Sequence, residues 1–212
     1  VKINIEEEER RKVMKRRSFL KASLAAGMSS VALADSAFAL KYYPMASEKK
    51  WVVLYGTWCG SSRDAGVWIS EGMGGIADVF DVRENPDLKG FDHFVVGGSI
   101  RMGKTRQELI DYVEKNRSWM KDRIRGIFAV CGYREGYMEQ KKIDYLDNHI
   151  AKICGVSNVP TALFPGRFTA ALMEPEIREQ MGQRGPMKDT DDLKRSDCMA
   201  FGKEVLASVW AG

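Results

Sequence analysis

Trp51-Val52-Val53-Leu54-Tyr55 runs without a charge into Gly56-Thr57-Trp58-Cys59-Gly60-Ser61-Ser62, and this junction decides the fold. The apolar run shows no polar alternation, which suits a strand buried on both faces, as parallel sheets require. A loop of small and hydroxyl residues follows. The helical pattern after it, over about 62–73, points Val67 and Trp68 toward a sheet and stops at the glycines within 72–75. Strand, small-residue loop and helix together make the first half of a βαβ unit.

The unit recurs downstream. Residues 76–82 read as a second strand and Asn85-Pro86-Asp87 as a turn. His93 to Gly98 form another apolar run, followed by a loop over 99–104 and a helix with Leu109, Ile110, Tyr112 and Val113 on one face. A fourth strand over 127–131 leads through a loop at 132–136 into a helix at about 138–153, with Ile143, Leu146, Ile150 and Ile153 at helical spacing. A fifth strand lies around 160–164, an irregular stretch extends through Met187, and a last helix covers about 192–209. Such alternation predicts an α/β fold, a doubly wound five-stranded parallel sheet in the order 2-1-3-4-5 with helices on both faces.

Ahead of this domain, Lys15-Arg16-Arg17-Ser18-Phe19-Leu20-Lys21 and the apolar run from about Ala22 to Leu33 have the pattern of a twin-arginine export signal. Ala37-Phe38-Ala39 reads as its cleavage site. The expected division is therefore a signal segment at 1–39 and one domain at 40–212, placed in the periplasm. The apolar run falls short of the roughly 20 residues that span a bilayer; retained uncleaved, it would still give a membrane association. The segment also carries eight of the 33 Lys/Arg and five of the 29 Asp/Glu, so the remainder is nearly neutral. That balance gives no support to a nucleic-acid partner. Cys59, Cys131, Cys154 and Cys198 stand singly, without the spacing of a disulfide framework, and His93 and His149 lack ligand-type neighbours, so no metal site is expected.

In a sheet of this order a ligand binds beyond the carboxyl ends of the strands, between the first and the third. Two loops meet that requirement. Thr57, Trp58, Cys59, Gly60, Ser61 and Ser62 offer backbone N–H groups and a helix N-terminus to a phosphate. Gly98, Ser99, Ile100, Arg101, Met102 and Gly103 follow the third strand, where glycines allow backbone to approach a flat ring. Gly132 and Tyr133 follow the fourth. Trp58 either stacks on a ring or stands as a loop aromatic, Arg101 either neutralises an anionic ligand or is a solvated charge, and Tyr133 either covers a ring or packs. Met102, like the other methionines, reads as a filler of core gaps rather than a metal ligand.

With these loops in place the chain resembles the flavodoxin-like family. Thr57 to Ser62 is similar to that family's T-x-T-G-x-T phosphate loop, with Cys59 and Ser62 standing where the family has threonine. The passage Phe91 to Gly103 is similar to the flavodoxin-type, menaquinone-dependent protoporphyrinogen oxidases. The resemblance covers most of residues 40–212 and implies non-covalent FMN, with Thr57, Gly60, Ser61 and Ser62 at its phosphate and Trp58 and the loops at 99–103 and 132–136 around its ring system. It also implies electron transfer between a quinone or protein redox partner and another acceptor, either as a carrier or as a flavin-dependent enzyme.

Three alternatives stand beside that expectation: a protoporphyrinogen-oxidase-like enzyme, a non-catalytic flavodoxin-fold subunit of a membrane complex, and a thioredoxin-like monothiol protein. The last rests on Trp58-Cys59-Gly60-Ser61-Ser62, similar to W-C-G-P-C with Cys59 as the thiol, and on Val159-Pro160-Thr161, similar to a cis-proline loop.

Overall fold

Strand β1 (Trp51–Gly56) is buried along its whole length. The computed structural model describes residues 47–132, 138–183 and 187–210, and β1 lies inside a sheet with β2 (Ala77–Asp81), β3 (His93–Ser99), β4 (Ile124–Cys131) and β5 (Thr161–Pro165) in the order β2-β1-β3-β4-β5. Every neighbouring pair is parallel. The fold class read from the sequence is the one observed. The thioredoxin-like alternative is thereby corrected: Trp58 to Ser62 opens a crossover in an all-parallel 2-1-3-4-5 sheet. The export segment at 1–39 lies outside the described residues.

Alternate side chains of β1 feed two separate cores. Val52 and Leu54 join Phe94, Val96, Leu109, Val113, Ile127, Leu146 and Ile150 on one face, while Trp51, Val53 and Tyr55 join Ile69, Val95, Phe128, Phe164, Phe201 and Val205 on the other. Period-two alternation thus gives one continuous apolar run to two helical layers. Each fully buried side chain of this size contributes about 1.5–3 kcal/mol, so neither layer can be lost without losing the fold.

The first layer is made by helix α2 (Gln107–Met120) and helix α3, which is α-helical over Met138–Lys142, widens to π-helical winding over Ile143–Ile150, and closes as α-helix over Ala151–Cys154. The widened turn shifts the register. Leu146 and Ile150 remain inside, whereas Ile143, expected on the same stripe, is 49 % exposed. The second layer is made by helix α1 (Ser61–Gly72) and the C-terminal helix. In α1 the buried face is Ala65, Gly66, Ile69 and Ser70; Val67 and Trp68, expected there, are half-buried, with Trp68 packed against the core.

The stretch at 166–192, expected to be irregular, has structure of its own. Strand β6 (Arg167–Phe168), helix α4 (Pro175–Gly182) and strand β7 (Thr190–Asp191) form a short excursion whose two strands pair antiparallel. Helix α5 (Arg195–Trp210) then returns to the sheet. Among the described residues no helix is long and apolar enough to cross a membrane.

Helices α1 and α5 touch through backbone. A Cβ added at Gly72 would stand 2.2 Å from the Met199 carbonyl oxygen, and one added at Gly202 would stand 2.2 Å from that of Ile69. At an exposed helical site Gly→Ala gains up to about 1 kcal/mol from propensity, but overpacking a rigid contact costs about 1–3 kcal/mol. Gly202→Ala is therefore expected to destabilise the protein by about 2 kcal/mol in urea denaturation; a gain in stability would show that the helices do not meet there.

Candidate functional site

The carboxyl ends of β1, β3, β4 and β5 surround a cavity of about 270 Å³. It lies where the chain leaves β1 for one side of the sheet and β3 for the other, the place where crossovers diverge and leave a crevice. Its walls come from four connections.

The first wall is the loop from Thr57 into α1. Thr57 is buried, and its Oγ1 accepts a hydrogen bond from the Gly60 N–H at 3.0 Å. Gly60 has φ +86, a left-handed value that a side chain would strain, and it starts α1 with no side-chain cap. The first turn closes with the Asp64 N–H donating to the Gly60 carbonyl at 3.1 Å. The N–H groups of Ser61, Ser62 and Arg63 thus have no acceptor within the helix. Trp58, Cys59 and Ser61 line the cavity, whereas Thr57, Gly60 and Ser62 do not.

The Trp58 ring is held from one side by the Arg106 guanidinium, 5.3 Å from its centroid, an attraction of the cation–π kind. Arg106 also donates to the Thr57 carbonyl at 3.0 Å and pairs with Glu108. The hydrogen bonds from Arg106 pull the Glu108 carboxyl down to about 2, so it is ionised near neutrality.

The second wall follows β3. Ser99 Oγ meets Ser62 Oγ at 2.7 Å and ties this loop to the first. Arg101 and Lys104 then exchange backbone hydrogen bonds around a two-residue turn, with Met102 at φ +49 and Gly103 at φ +79. This turn projects Met102 into solvent, 79 % exposed. It fills no core gap, contrary to expectation, because a tight turn with both central residues left-handed points its side chains outward. Ser99, Ile100, Arg101 and Met102 line the cavity; Gly103 sits at the turn.

Gly98 lies within β3, and a Cβ there would stand 2.8 Å from the Gly56 carbonyl oxygen. Its glycine serves strand packing rather than the approach of a ring. Arg101 is not a freely solvated charge: its side chain is 19 % exposed and paired with Glu174. Beyond the turn, the Thr105 N–H donates to His149 Nε2 at 3.2 Å, anchoring the loop to α3.

The third wall is Val130, Cys131 and Gly132 at the end of β4. Tyr133 lies outside the described residues. Burial pushes the Cys131 thiol up to about 11 and those of Cys154 and Cys198 up to about 12, which makes all three poor nucleophiles near neutrality. Cys59 is half-buried and faces the cavity.

The fourth wall was not foreseen from the sequence. Gly166, Arg167, Phe168 and Thr169 follow β5, and Met173 and Ile177 reach in from the excursion. The Arg167 N–H donates to Ser61 Oγ at 2.9 Å, and its guanidinium pairs with Asp191 and Asp64. The rule that selected the loops after β1 and β3 applies equally to the end of β5; the Pro165-Gly166-Arg167 turn was the available signal.

A family model described as a flavodoxin domain matches residues 52–195. No curated protein matches significantly. Among solved structures, the flavodiiron core of Flv1 from Synechocystis is 12 % identical, with 77 % of this chain and 37 % of that one covered and a TM-score of 0.48. Rubredoxin oxygen:oxidoreductase from Desulfovibrio gigas is 10 % identical, with coverages of 76 % and 36 % and a TM-score of 0.48. A Fusobacterium nucleatum flavodoxin bound to flavin mononucleotide is 7 % identical, with coverages of 77 % and 98 % and a TM-score of 0.46. The match thus spans little more than a third of the length of the first two.

His149 gives the site a pH signature. Burial holds its pKa below the usual value, and its Nε2 must be unprotonated to accept from Thr105. As pH falls below about 6.5 the unfolded chain takes up a proton first, so this contribution is complete above that pH and is lost toward the depressed folded value. His93 shifts in the same direction, through burial and then Arg125. The urea midpoint should fall between pH values of about 7.5 and 5.5, and His149→Gln, whose amide oxygen accepts the bond at any pH, should reduce that fall; an unchanged pH dependence would show that His149 does not contribute.

Proposed function

The chain belongs to the flavodoxin domain family, whose model spans residues 52–195, and on that footing we propose that it binds FMN non-covalently in the cavity and serves as a redox protein. The observation that carries this reading is the wall formed by Gly60 and α1. Ser61 lines the cavity there, next in the chain to the left-handed Gly60, and the N–H groups of Ser61, Ser62 and Arg63 are unpaired within the helix, an arrangement suited to a phosphate.

The neighbouring hydroxyls fit as well. Thr57 Oγ1 and Ser61 Oγ each accept a backbone hydrogen bond, which leaves each with its own hydrogen to donate. The Ser62–Ser99 pair uses one hydrogen and keeps another. The apolar lining from Ile100, Val130, Phe168, Met173 and Ile177 suits a flat ring system. FMN, when bound, supplies the electron-transfer chemistry. This chain's residues bind and orient it: backbone N–H groups and hydroxyls at the phosphate end, Trp58 and the loop at 99–102 toward the rings, and Met173 and Ile177 excluding water.

The finer reading is that the protein works outside the cytoplasm, carried there by a twin-arginine signal at 1–39 that precedes the domain at 40–212, and that it exchanges electrons with a quinone or a protein redox partner. Lys15 to Lys21 supports the export, and the likeness of Phe91 to Gly103 to quinone-dependent protoporphyrinogen oxidases supports the quinone. An uncleaved signal would add a membrane association.

Protein purified from the periplasmic fraction should carry one FMN per chain, seen in its visible absorbance and in the pigment released on denaturation. A colourless protein that takes up no added FMN would overturn the flavin reading in favour of a non-catalytic subunit. Replacing Arg16 and Arg17 together by lysine should leave the protein in the cytoplasm with its flavin content unchanged; continued export would rule out the twin-arginine route.

A further inference from the structure

The excursion after β5 carries a charge to the phosphate end of the cavity. Arg167 reaches this position through its own backbone, whose N–H donates to Ser61 Oγ at 2.9 Å. That bond fixes the residue against the start of α1, whatever its side chain does.

A guanidinium has five N–H donors in a planar fork. In Arg167 the single Nε hydrogen goes to Asp191 Oδ2 at 2.9 Å. The two on Nη2 go to Asp191 Oδ2 at 2.7 Å and Asp64 Oδ2 at 3.3 Å. Three donors, on Nε and Nη2, are thereby used, and two carboxylates hold the plane in place. Both hydrogens of Nη1 are left, without an acceptor among the described residues. Nη1 also stands 3.9 Å from where a Cβ of Gly60 would be, so the free donors lie beside the bare glycine that begins the anion-binding turn.

Resting on the FMN reading above, the geometry points to Arg167 as the residue that makes this site select a phosphorylated flavin over the same flavin without its phosphate. Nη1 would donate to a phosphate oxygen while Nε and Nη2 keep Asp191 and Asp64, so the ligand gains a charge-assisted bond from a group already oriented. The backbone N–H groups of the α1 turn, which any flavodoxin-type loop offers, would supply the remainder. Asp64 and Asp191 also limit the gain, because they partly neutralise the guanidinium. The expected effect is therefore about tenfold in affinity, not several orders of magnitude.

Dissociation constants for FMN and for riboflavin, measured by flavin fluorescence quenching on the apoprotein, test this directly. Arg167→Gln removes the charge but keeps an amide able to reach Asp191. It is expected to weaken FMN about tenfold, to leave riboflavin within about twofold of the parent, and to flatten the salt dependence of FMN binding. Arg167→Lys, which keeps a point charge without the fork, should fall between the two. Riboflavin binding by each variant also reports that the ring site has folded. Equal weakening of both ligands in the two variants, or an unchanged preference for FMN, would overturn the assignment and leave Arg167 as a tether for the excursion. A parent protein that binds neither flavin would overturn the flavin reading and this role with it, whereas a parent that binds FMN with an indifferent Arg167→Gln overturns this role alone.

Discussion

A parallel sheet has to be covered on both faces, and each of its strands must return by a crossover that ends on the same edge as the last. In this protein that constraint acts through β1, where Val52, Val53 and Leu54 have no exposure at all. Alternate residues of the strand serve different helical layers, so the two cores are coupled through one backbone. Backbone also approaches backbone closely within the sheet and within the second layer. Gly97 leaves room for the Phe128 carbonyl oxygen, 2.2 Å from where a Cβ would be, and Gly72 and Gly202 let α1 and α5 meet. All the carboxyl ends then open on one edge, and the loops gathered there inherit their positions from the sheet rather than from interactions of their own.

Among the described residues of those loops, Arg101, Arg106 and Arg167 each meet an acid: Arg101 with Glu174, Arg106 with Glu108, and Arg167 with Asp64 and Asp191. Exposed ion pairs of this kind contribute roughly 0–1 kcal/mol each to stability, far less than the cores. Their consequence is positional. Glu174 draws the excursion toward the loop after β3, Glu108 keeps Arg106 against Trp58, and Asp191 with Asp64 sets the plane of Arg167. The cavity is thus bounded by side chains whose orientation is fixed although their net charge is small.

The Ser62–Ser99 hydrogen bond has a similar role at shorter range. It joins the start of α1 to the end of β3, and Thr105 with His149 joins the far end of the same loop to α3. Both contacts link residues distant in sequence. Cys131, which lines the cavity, is kept protonated by burial.

The sequence by itself determined the layers and the edge. Trp51 to Tyr55 could only be a strand covered twice, and the repeating strand–helix alternation required parallel pairing, hence a crevice beyond Thr57 and Ser99. Period and composition suffice for that, because burial on two faces is written in consecutive residues. The tertiary structure alone decided which side chains finish the crevice. Gly98 was legible as a glycine but not as one required by the Gly56 carbonyl; Met102 was legible as apolar but not as the tip of a left-handed turn. Ile143 lost its place to a π-helical turn that no spacing rule marks. Arg167, Met173 and Ile177 come from a stretch with little hydrophobic period, ordered by a two-residue ribbon and by Asp64, over a hundred residues away. Contacts of that range leave no trace in local pattern, since the chain between them sets only whether they can meet and the packed sheet sets whether they do.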